Sequence, residues 1–233
     1  MILGGEGAIG KNVVDELVRN GIKKGNIERI SGKSRYATAA AIAEKLDPSP
    51  EVVFFVYGGG YADALSISPV AAIKKAPIIY LTTSGELNAD SAAYLARLKK
   101  KKCVKTAYCI GGSGVISDQM MQSVRTALDL QQEDQLHRIY GINRYDTSCA
   151  VYSWFGYSTL KGSSVCIATG KNFPDALAGG VLAAEFRAPL LLVGGYCDYS
   201  SRLNPERFFN IFILGGTGAV PDAAVKEIFR NRS

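Results

Sequence analysis

Few residues in this 233-residue chain have the types and spacing that chemistry needs. Gly5-Glu6-Gly7-Ala8-Ile9-Gly10 matches the GxGxxG turn that cradles a pyrophosphate between a strand and a helix, and Glu28 lies at about the distance of a ribose-binding acid. Taken alone, it suggests a nucleotide-binding enzyme. Asp63 and Asp175 could serve as general bases or metal ligands, but that work needs a second carboxylate or a histidine from the same unit, and none recurs. At the start of a helix, a carboxylate instead accepts orphan backbone N–H groups and meets the positive end of the dipole. Arg35 and Arg144 each stand beside a tyrosine, Tyr36 and Tyr145, at a helix start where the dipole does not favour a cation. A buried ion pair, with Asp63 or Asp175 of the same unit, or an anion held in the guanidinium fork would account for them.

Other chemistries lack a constellation. Cys103, Cys109, Cys149, Cys166 and Cys197 are odd in number, without a CxxC pair, and do not read as a disulfide framework. Cys109 and Cys166 lie in apolar stretches where a thiol behaves as a small hydrophobe. His137 is the sole imidazole and has no cysteine cluster beside it, so no metal site is expected. There is no GxSxG elbow and no HExxH. The chain reads as no enzyme, with no cofactor.

Repetition explains more of the pattern. Arg29-Ile30-Ser31-Gly32-Lys33-Ser34-Arg35-Tyr36-Ala37-Thr38 returns as Arg138-Ile139-Tyr140-Gly141-Ile142-Asn143-Arg144-Tyr145-Asp146-Thr147, a shift of 109 (35 to 144). Asp63-Ala64-Leu65 returns as Asp175-Ala176-Leu177, and Pro77-Ile78-Ile79 as Pro189-Leu190-Leu191, both shifted by 112 (63 to 175). A third block occurs three times: Ile2-Leu3-Gly4-Gly5, Cys109-Ile110-Gly111-Gly112 and Ile213-Leu214-Gly215-Gly216, each running on into a helix. In these copies Ser117 and Pro221 replace Gly10, so the third glycine is not required, and a tight Gly-Gly turn before a helix is the shared demand, with Gly112 and Gly216 as turn residues. Constant order at this period predicts residues 1–25 as the tail of one unit, followed by whole units at 26–134 and 135–233. The tail should leave apolar surface uncovered, favouring self-association or docking of its helix.

The elements that position these residues follow from caps and periodicity. Ser34 and Asn143 are N-caps ahead of Ala- and Ile-rich helices. Runs at 52–57 and 165–169 end in glycine and read as buried strands, as do 77–81, 106–110 and 189–193. Helices are expected to open at Asp63 and Asp175, and over 88–102 with its lysines at the C-terminal end. Lys99-Lys100-Lys101-Lys102 reads as a solvated helix end or as an attractor of anionic polymer. Strands alternating with helices predict an α/β fold in which each unit has a mostly parallel sheet with helices on both faces.

Composition narrows the partners. With 27 Lys plus Arg against 21 Asp plus Glu, the net charge is +6, mildly basic, and 47% hydrophobic residues suffice for a packed core, which excludes intrinsic disorder. No apolar run reaches the roughly 18 residues of a membrane helix, and the opening residues lack a signal peptide's pattern. Aromatics are not interleaved with basic residues as on a single-strand platform, so neither nucleic acid nor membrane is an expected partner.

The run of an RISGxxRYxTA block, a strand ending in Ala168-Thr169-Gly170, then Asn172-Phe173-Pro174-Asp175-Ala176-Leu177, then Pro189-Leu190-Leu191, then a GGxGxI turn closely resembles the cell wall binding repeat 2 family of Gram-positive bacteria, over nearly the whole chain. The resemblance implies Toprim-like repeats that usually come in threes as a pseudo-trimer. It also implies noncovalent anchoring of S-layer proteins or wall enzymes, outside the cell, to an anionic cell-wall polysaccharide. Carried over, it places Arg35, Arg144, Tyr36, Tyr145, Ile78, Ile79, Leu190 and Leu191 along a polymer groove between repeats, with neighbouring repeats of the same or another chain as partners. The sequence departs from the family at Tyr57-Gly58-Gly59-Gly60-Tyr61-Ala62-Asp63, where ATG followed by FPD is usual, and at Ser34 and Asn143, where the family has an acid. The first departure implies altered ligand contacts in the first repeat.

Overall fold

The computed structural model describes residues 1–82 and 87–230. Apolar runs form the strands, which are buried on both faces at the sheet centres and more open at the edges, and the helices between them make every pairing parallel. In the first unit β3 (Val52–Tyr57), β4 (Ile78–Leu81) and β5 (Thr106–Ile110) join β6 (Leu136–Ile139) in the order β4-β3-β5-β6. In the second, β7 (Ser164–Thr169), β8 (Leu190–Val193) and β9 (Asn210–Leu214) run β8-β7-β9. β1 (Ile2–Leu3) and β2 (Arg29–Ile30) form a two-stranded sheet.

β3 shows why both faces need helices. Val53 and Phe55 point into a cluster with Tyr94, Leu95 and Leu98 of α4 (Ala89–Lys101) and Met120, Val124 and Leu128 of α5 (Asp118–Leu128). Phe54 and Val56 point the other way, onto Ile67 and Val70 of α3 (Ala62–Lys74). All four are fully buried, a gain of roughly 1.5–3 kcal/mol each. The repeats share this second cluster. Phe155, at the end of α6 (Arg144–Phe155), lies 6.0 Å from Phe54 and 5.1 Å from Tyr108 of the first unit, while Cys149 and Tyr152 on the same helix pack into the second.

Sheets and repeats do not change over at the same residue. The first strand of each repeated block pairs backward: β2 with β1, and β6 with β5 (Cys109↔Arg138). Arg29 accordingly donates to the Gly4 carbonyl at 2.6 Å, and Arg138 to the Gly111 and Ile116 carbonyls, so one arginine clamps the preceding Gly-Gly turn in both copies.

α3 carries Pro69 in its interior, which deprives the Leu65 carbonyl of its helical donor. The Ser68 hydroxyl supplies one at 2.9 Å. Against α3 runs α7 (Pro174–Glu185), and here glycine is needed: a Cβ on Gly180 would stand 2.5 Å from Ser68 Oγ. The bare backbone lets the two helices meet.

The units differ in one layer. In the first, the thirteen-residue α4 covers α2 (Arg35–Ala43). In the second its place is taken by α8 (Tyr199–Arg202), four residues long. The tail helix α1 (Lys11–Arg19) buries no residue, and α9 (Asp222–Ile228) buries Ile228.

Candidate functional site

Asn143 caps α6 by accepting from the Tyr145 and Asp146 amides at 2.9 and 3.0 Å, which fixes the direction in which Arg144 leaves the helix. Arg144 Nη1 donates to the Gly170 carbonyl at the end of β7 (2.9 Å) and to Tyr61 Oη (3.2 Å). The guanidinium carbon lies 5.5 Å from the Tyr61 ring centroid, within cation–π range. Tyr61 donates in turn to the Lys171 carbonyl at 2.8 Å, and its ring stands 5.8 Å from Phe173. Tyr61 comes from the first repeat and its partners from the second. Ser34 caps α2 in the same way, accepting from Ala37 at 3.2 Å, and Arg35 Nη1 donates to the Gly58 carbonyl at 2.9 Å. The ion pair with Asp63 or Asp175 is not formed: among the described residues neither arginine lies within salt-bridge distance of a carboxylate. Both arginines brace the glycine that ends the strand beside them.

Tyr36 and Tyr145 press on those same glycines. A Cβ on Gly58 would come within 2.4 Å of the Tyr36 ring, and one on Gly170 within 2.6 Å of Tyr145, which also packs over Gly195. Glycine at the strand end and tyrosine at the helix start therefore form one packing unit in each repeat.

Asp63 and Asp175 sit in the first turn of α3 and α7, with Tyr61 and Phe173 as N-caps, and no side-chain cap hydrogen bond is formed at either helix. Each carboxylate lies under the Gly-Gly turn instead: Asp63 Oδ2 is 3.1 Å from where a Cβ on Gly111 would be, and Asp175 Oδ2 2.8 Å from one on Gly215. Gly4, Gly111 and Gly215 have φ of +129, +137 and +113°, so the requirement for glycine falls one residue before Gly112 and Gly216. A Cβ on Gly112 would meet only Tyr140 at 3.6 Å, and one on Gly216 nothing. Burial pushes the Asp63 carboxyl up to about 6, opposed by the Arg144 charge.

The GxGxxG match is that same turn. Ile9 donates to Gly5 O, Ile116 to Gly112 O and Val220 to Gly216 O at 2.9–3.0 Å, so three copies share one hydrogen-bond pattern. Gly5 and Gly7 have open space where a Cβ would stand, and Glu28 is paired with Lys45 at 2.6 Å. The glycines are accounted for without a nucleotide.

A groove of about 1440 Å³ opens on the first repeat. Its floor is apolar, from Ala39 and Ile42 of α2, Ala64 and Ala71 of α3, and Ile78 and Tyr80 of β4; Lys33, Arg35 and Lys75 stand along it with one carboxylate, Asp47. The corresponding surface of the second repeat is filled. Leu190 and Leu192, the counterparts of Ile78 and Tyr80, are buried beneath Ala62 and Leu65 of α3. Leu191 and Ile79 face the opposite side of their sheets and are also fully buried. Of the four strand residues expected along a groove, only Ile78 has surface there; apolar runs that look alike in sequence are divided by the sheet into core and lining. The mirror of this asymmetry lies on α7, where Leu177 and Val181 are 61% and 76% exposed while Leu65 of α3 is 4% exposed.

Tyr61, Arg29 and Arg138 were not singled out from sequence. Tyr61 differs in type from its counterpart Phe173, but the two arginines recur at the head of the repeated block, and that recurrence was the available signal. Of the lysine run, Lys99 reaches the Thr126 carbonyl and Lys101 the Pro48 carbonyl. Among the described residues no cluster of three or more His, Cys, Asp or Glu could hold a metal ion, and no helix is long and apolar enough to cross a membrane.

The chain is similar to N-acetylmuramoyl-L-alanine amidase LytC of Bacillus subtilis (strain 168), 28% identical over 98% of this chain and 42% of that protein, and to an amidase enhancer of the same strain, 28% identical over 83% and 24%. Among solved structures it superposes on Cwp8 from Clostridium difficile with a TM-score of 0.79 at 26% identity, covering 98% of this chain and 37% of that one. Cwp6 from the same organism shares the fold, with a TM-score of 0.71 at 21% identity over 86% and 31%. The chain thus spans less than half the length of these relatives. Residues 29–121 and 138–225 both match Cell wall binding domain 2 (CWB2), in register with the two copies of the Arg-Tyr block, the Asp-Ala-Leu helix and the Gly-Gly turn; the chain belongs to the CWB2 family of cell wall binding modules.

Proposed function

We propose that this chain tethers a surface protein or a wall enzyme, outside the cell, by noncovalent binding of its repeats to an anionic cell-wall polysaccharide. The repeat units are 26–134 and 135–233, with residues 1–25 contributing the tail of a further one. The observation that supports this reading most is the open groove of the first repeat. Its apolar floor matches the surface that α3 covers on the second repeat, and exposed Leu177 and Val181 on α7 match the face that α3 buries. A third repeat, from this or another chain, fits between them and completes a ring of three. Lys33 and Arg35 at the edge of that groove then supply charge where a polymer passes between repeats, and Arg144 supplies the same group in the second copy. Several weak contacts on one molecule add avidity.

Calorimetric titration of the purified chain with extracted anionic wall polysaccharide tests the reading. Binding that weakens by tenfold or more in the double variant Lys33→Ala/Arg35→Ala, measured well below a melting temperature lowered only slightly by loss of the Arg35 tie to the Gly58 carbonyl, supports it. An unaltered affinity in that variant removes the groove edge from the polymer site.

A further inference from the structure

The second repeat holds two thiols in contact. Cys149 on α6 and Cys197, just before α8, have Sγ atoms 3.0 Å apart, and both side chains are buried, at 0% and 3% exposure. A disulfide spans about 2.05 Å, so closure asks an approach of only about 1 Å. The sulfur of Cys149 is not required by the shared fold, since the first repeat has Ala40 at the corresponding position (a shift of 109).

The surroundings show what a bond there would do. In the first repeat the cover over α2 is the thirteen-residue α4, which buries Tyr94, Leu95 and Leu98. In the second, the cover over α6 is a short segment ending in the four-residue α8. It is held to α6 by polar ties: Asn143 Nδ2 to the Tyr196 carbonyl (2.8 Å), Arg202 to the buried Asp146 carboxylate (2.6 and 3.0 Å) and Ser153 Oγ to the Arg202 carbonyl (3.2 Å). The segment also buries Tyr199 and Leu203 in the core that α6 lines, and a crosslink would add to these ties by removing freedom from the unfolded chain.

We propose that Cys149 and Cys197 are a disulfide-forming pair that staples the α8 segment to α6 in the second repeat. The oxidant is a small-molecule or protein disulfide. One cysteine thiolate attacks a sulfur of the oxidant, forming a mixed disulfide and releasing one thiol; the other cysteine thiolate displaces the second thiol and forms the Cys149–Cys197 bond. The two leaving thiolates take up, through solvent, the two protons that the cysteines gave up, so the oxidant carries the two electrons away as two thiols with no net release of protons. Hydrogen bonding to Cys197, with burial, raises the Cys149 thiol well above its usual range in the closed structure, so exchange proceeds while the segment is still open, during folding. The inference is independent of what the chain binds.

The full chain, unfolded under reduction and refolded in a mixture of reduced and oxidised glutathione, provides the test. Titration in denaturant should find three free thiols in place of five. Alkylation and trypsin should yield one joined species, residues 145–161 linked to residues 188–202, each carrying a single cysteine. The melting temperature should exceed that of the reduced chain by roughly 5–10 °C and return on adding dithiothreitol. Cys149→Ala, which installs the first repeat's residue, should lose the joined peptide and the reducible shift, while Cys166→Ala keeps both. Five titratable thiols after refolding, a crosslink between any other pair, or the joined peptide without a rise in melting temperature would each overturn the proposal.

Discussion

Tyr61 of the first repeat lies over Arg144 of the second, ring centroid 5.5 Å from the guanidinium carbon, and hydrogen bonds to it at 3.2 Å. The counterpart of Tyr61 is Phe173, which is half exposed, and the counterpart of Arg144 is Arg35, which stands at the open groove. One contact between repeats is thus made, and the two groups needed for another are left on the surface.

This difference separates the two arginines. Arg144→Ala removes a charged donor from the Gly170 carbonyl and from Tyr61, and should cost about 1–3 kcal/mol in urea denaturation. Arg35→Ala, lacking the ring, should cost less. Equal losses would mean that the Tyr61 contact adds nothing to the joint between repeats.

Leu65 and Leu177 occupy the same position on α3 and α7, one buried and one exposed. Leu65→Ala should destabilise the chain by about 2–4 kcal/mol, and Leu177→Ala by no more than about 0.5 kcal/mol. The second substitution should become costly only when a third repeat is present. A large loss from Leu177→Ala in this chain alone would show that α7 already has a partner.

At the Gly-Gly turn, the positive φ of Gly111 and its approach to Asp63 predict a loss of about 1–3 kcal/mol for Gly111→Ala, against less than about 0.5 kcal/mol for Gly112→Ala. Thermal melts of the two variants compare neighbouring glycines in one background.

Asp63 sets a pH dependence. Its folded value, raised to about 6 from 3.8, means that the folded state favours the protonated acid; its contribution to stability is fully present below about 3.8, declines as pH rises to about 6 and is absent above. Asp63→Asn should therefore match the wild type near pH 4 and exceed it by a few degrees in melting temperature near pH 7. A variant less stable than the wild type at pH 7 would mean that attraction to Arg144 outweighs burial.

Local signals carried most of the fold. Ser34 and Asn143 cap where short polar residues precede an apolar helix, and β3, β5 and β8 lie where short apolar runs are bounded by glycine or proline. The short strands β2 and β6 escape such reading because their pairing is with the preceding unit, and an Arg-Ile pair carries no period. The site was legible as far as its repeated residues. That Ile79, Leu190 and Leu191 are core while Ile78 lines a groove depends on which repeat α3 covers, and that is a tertiary fact. For the same reason the sequence points to a side-chain partner for Arg144 in its own repeat, whereas that repeat supplies only the Gly170 carbonyl and the side chain is Tyr61 of the other.

The most direct measurement is retention of the purified chain on cell walls, at low and high salt, with intact walls and with walls stripped of anionic polymer. The account predicts retention on intact walls that falls as salt rises, since charge attraction is screened within roughly 10 Å at 0.1 M, and its loss on stripped walls. Retention that is indifferent to salt and to stripping would contradict it.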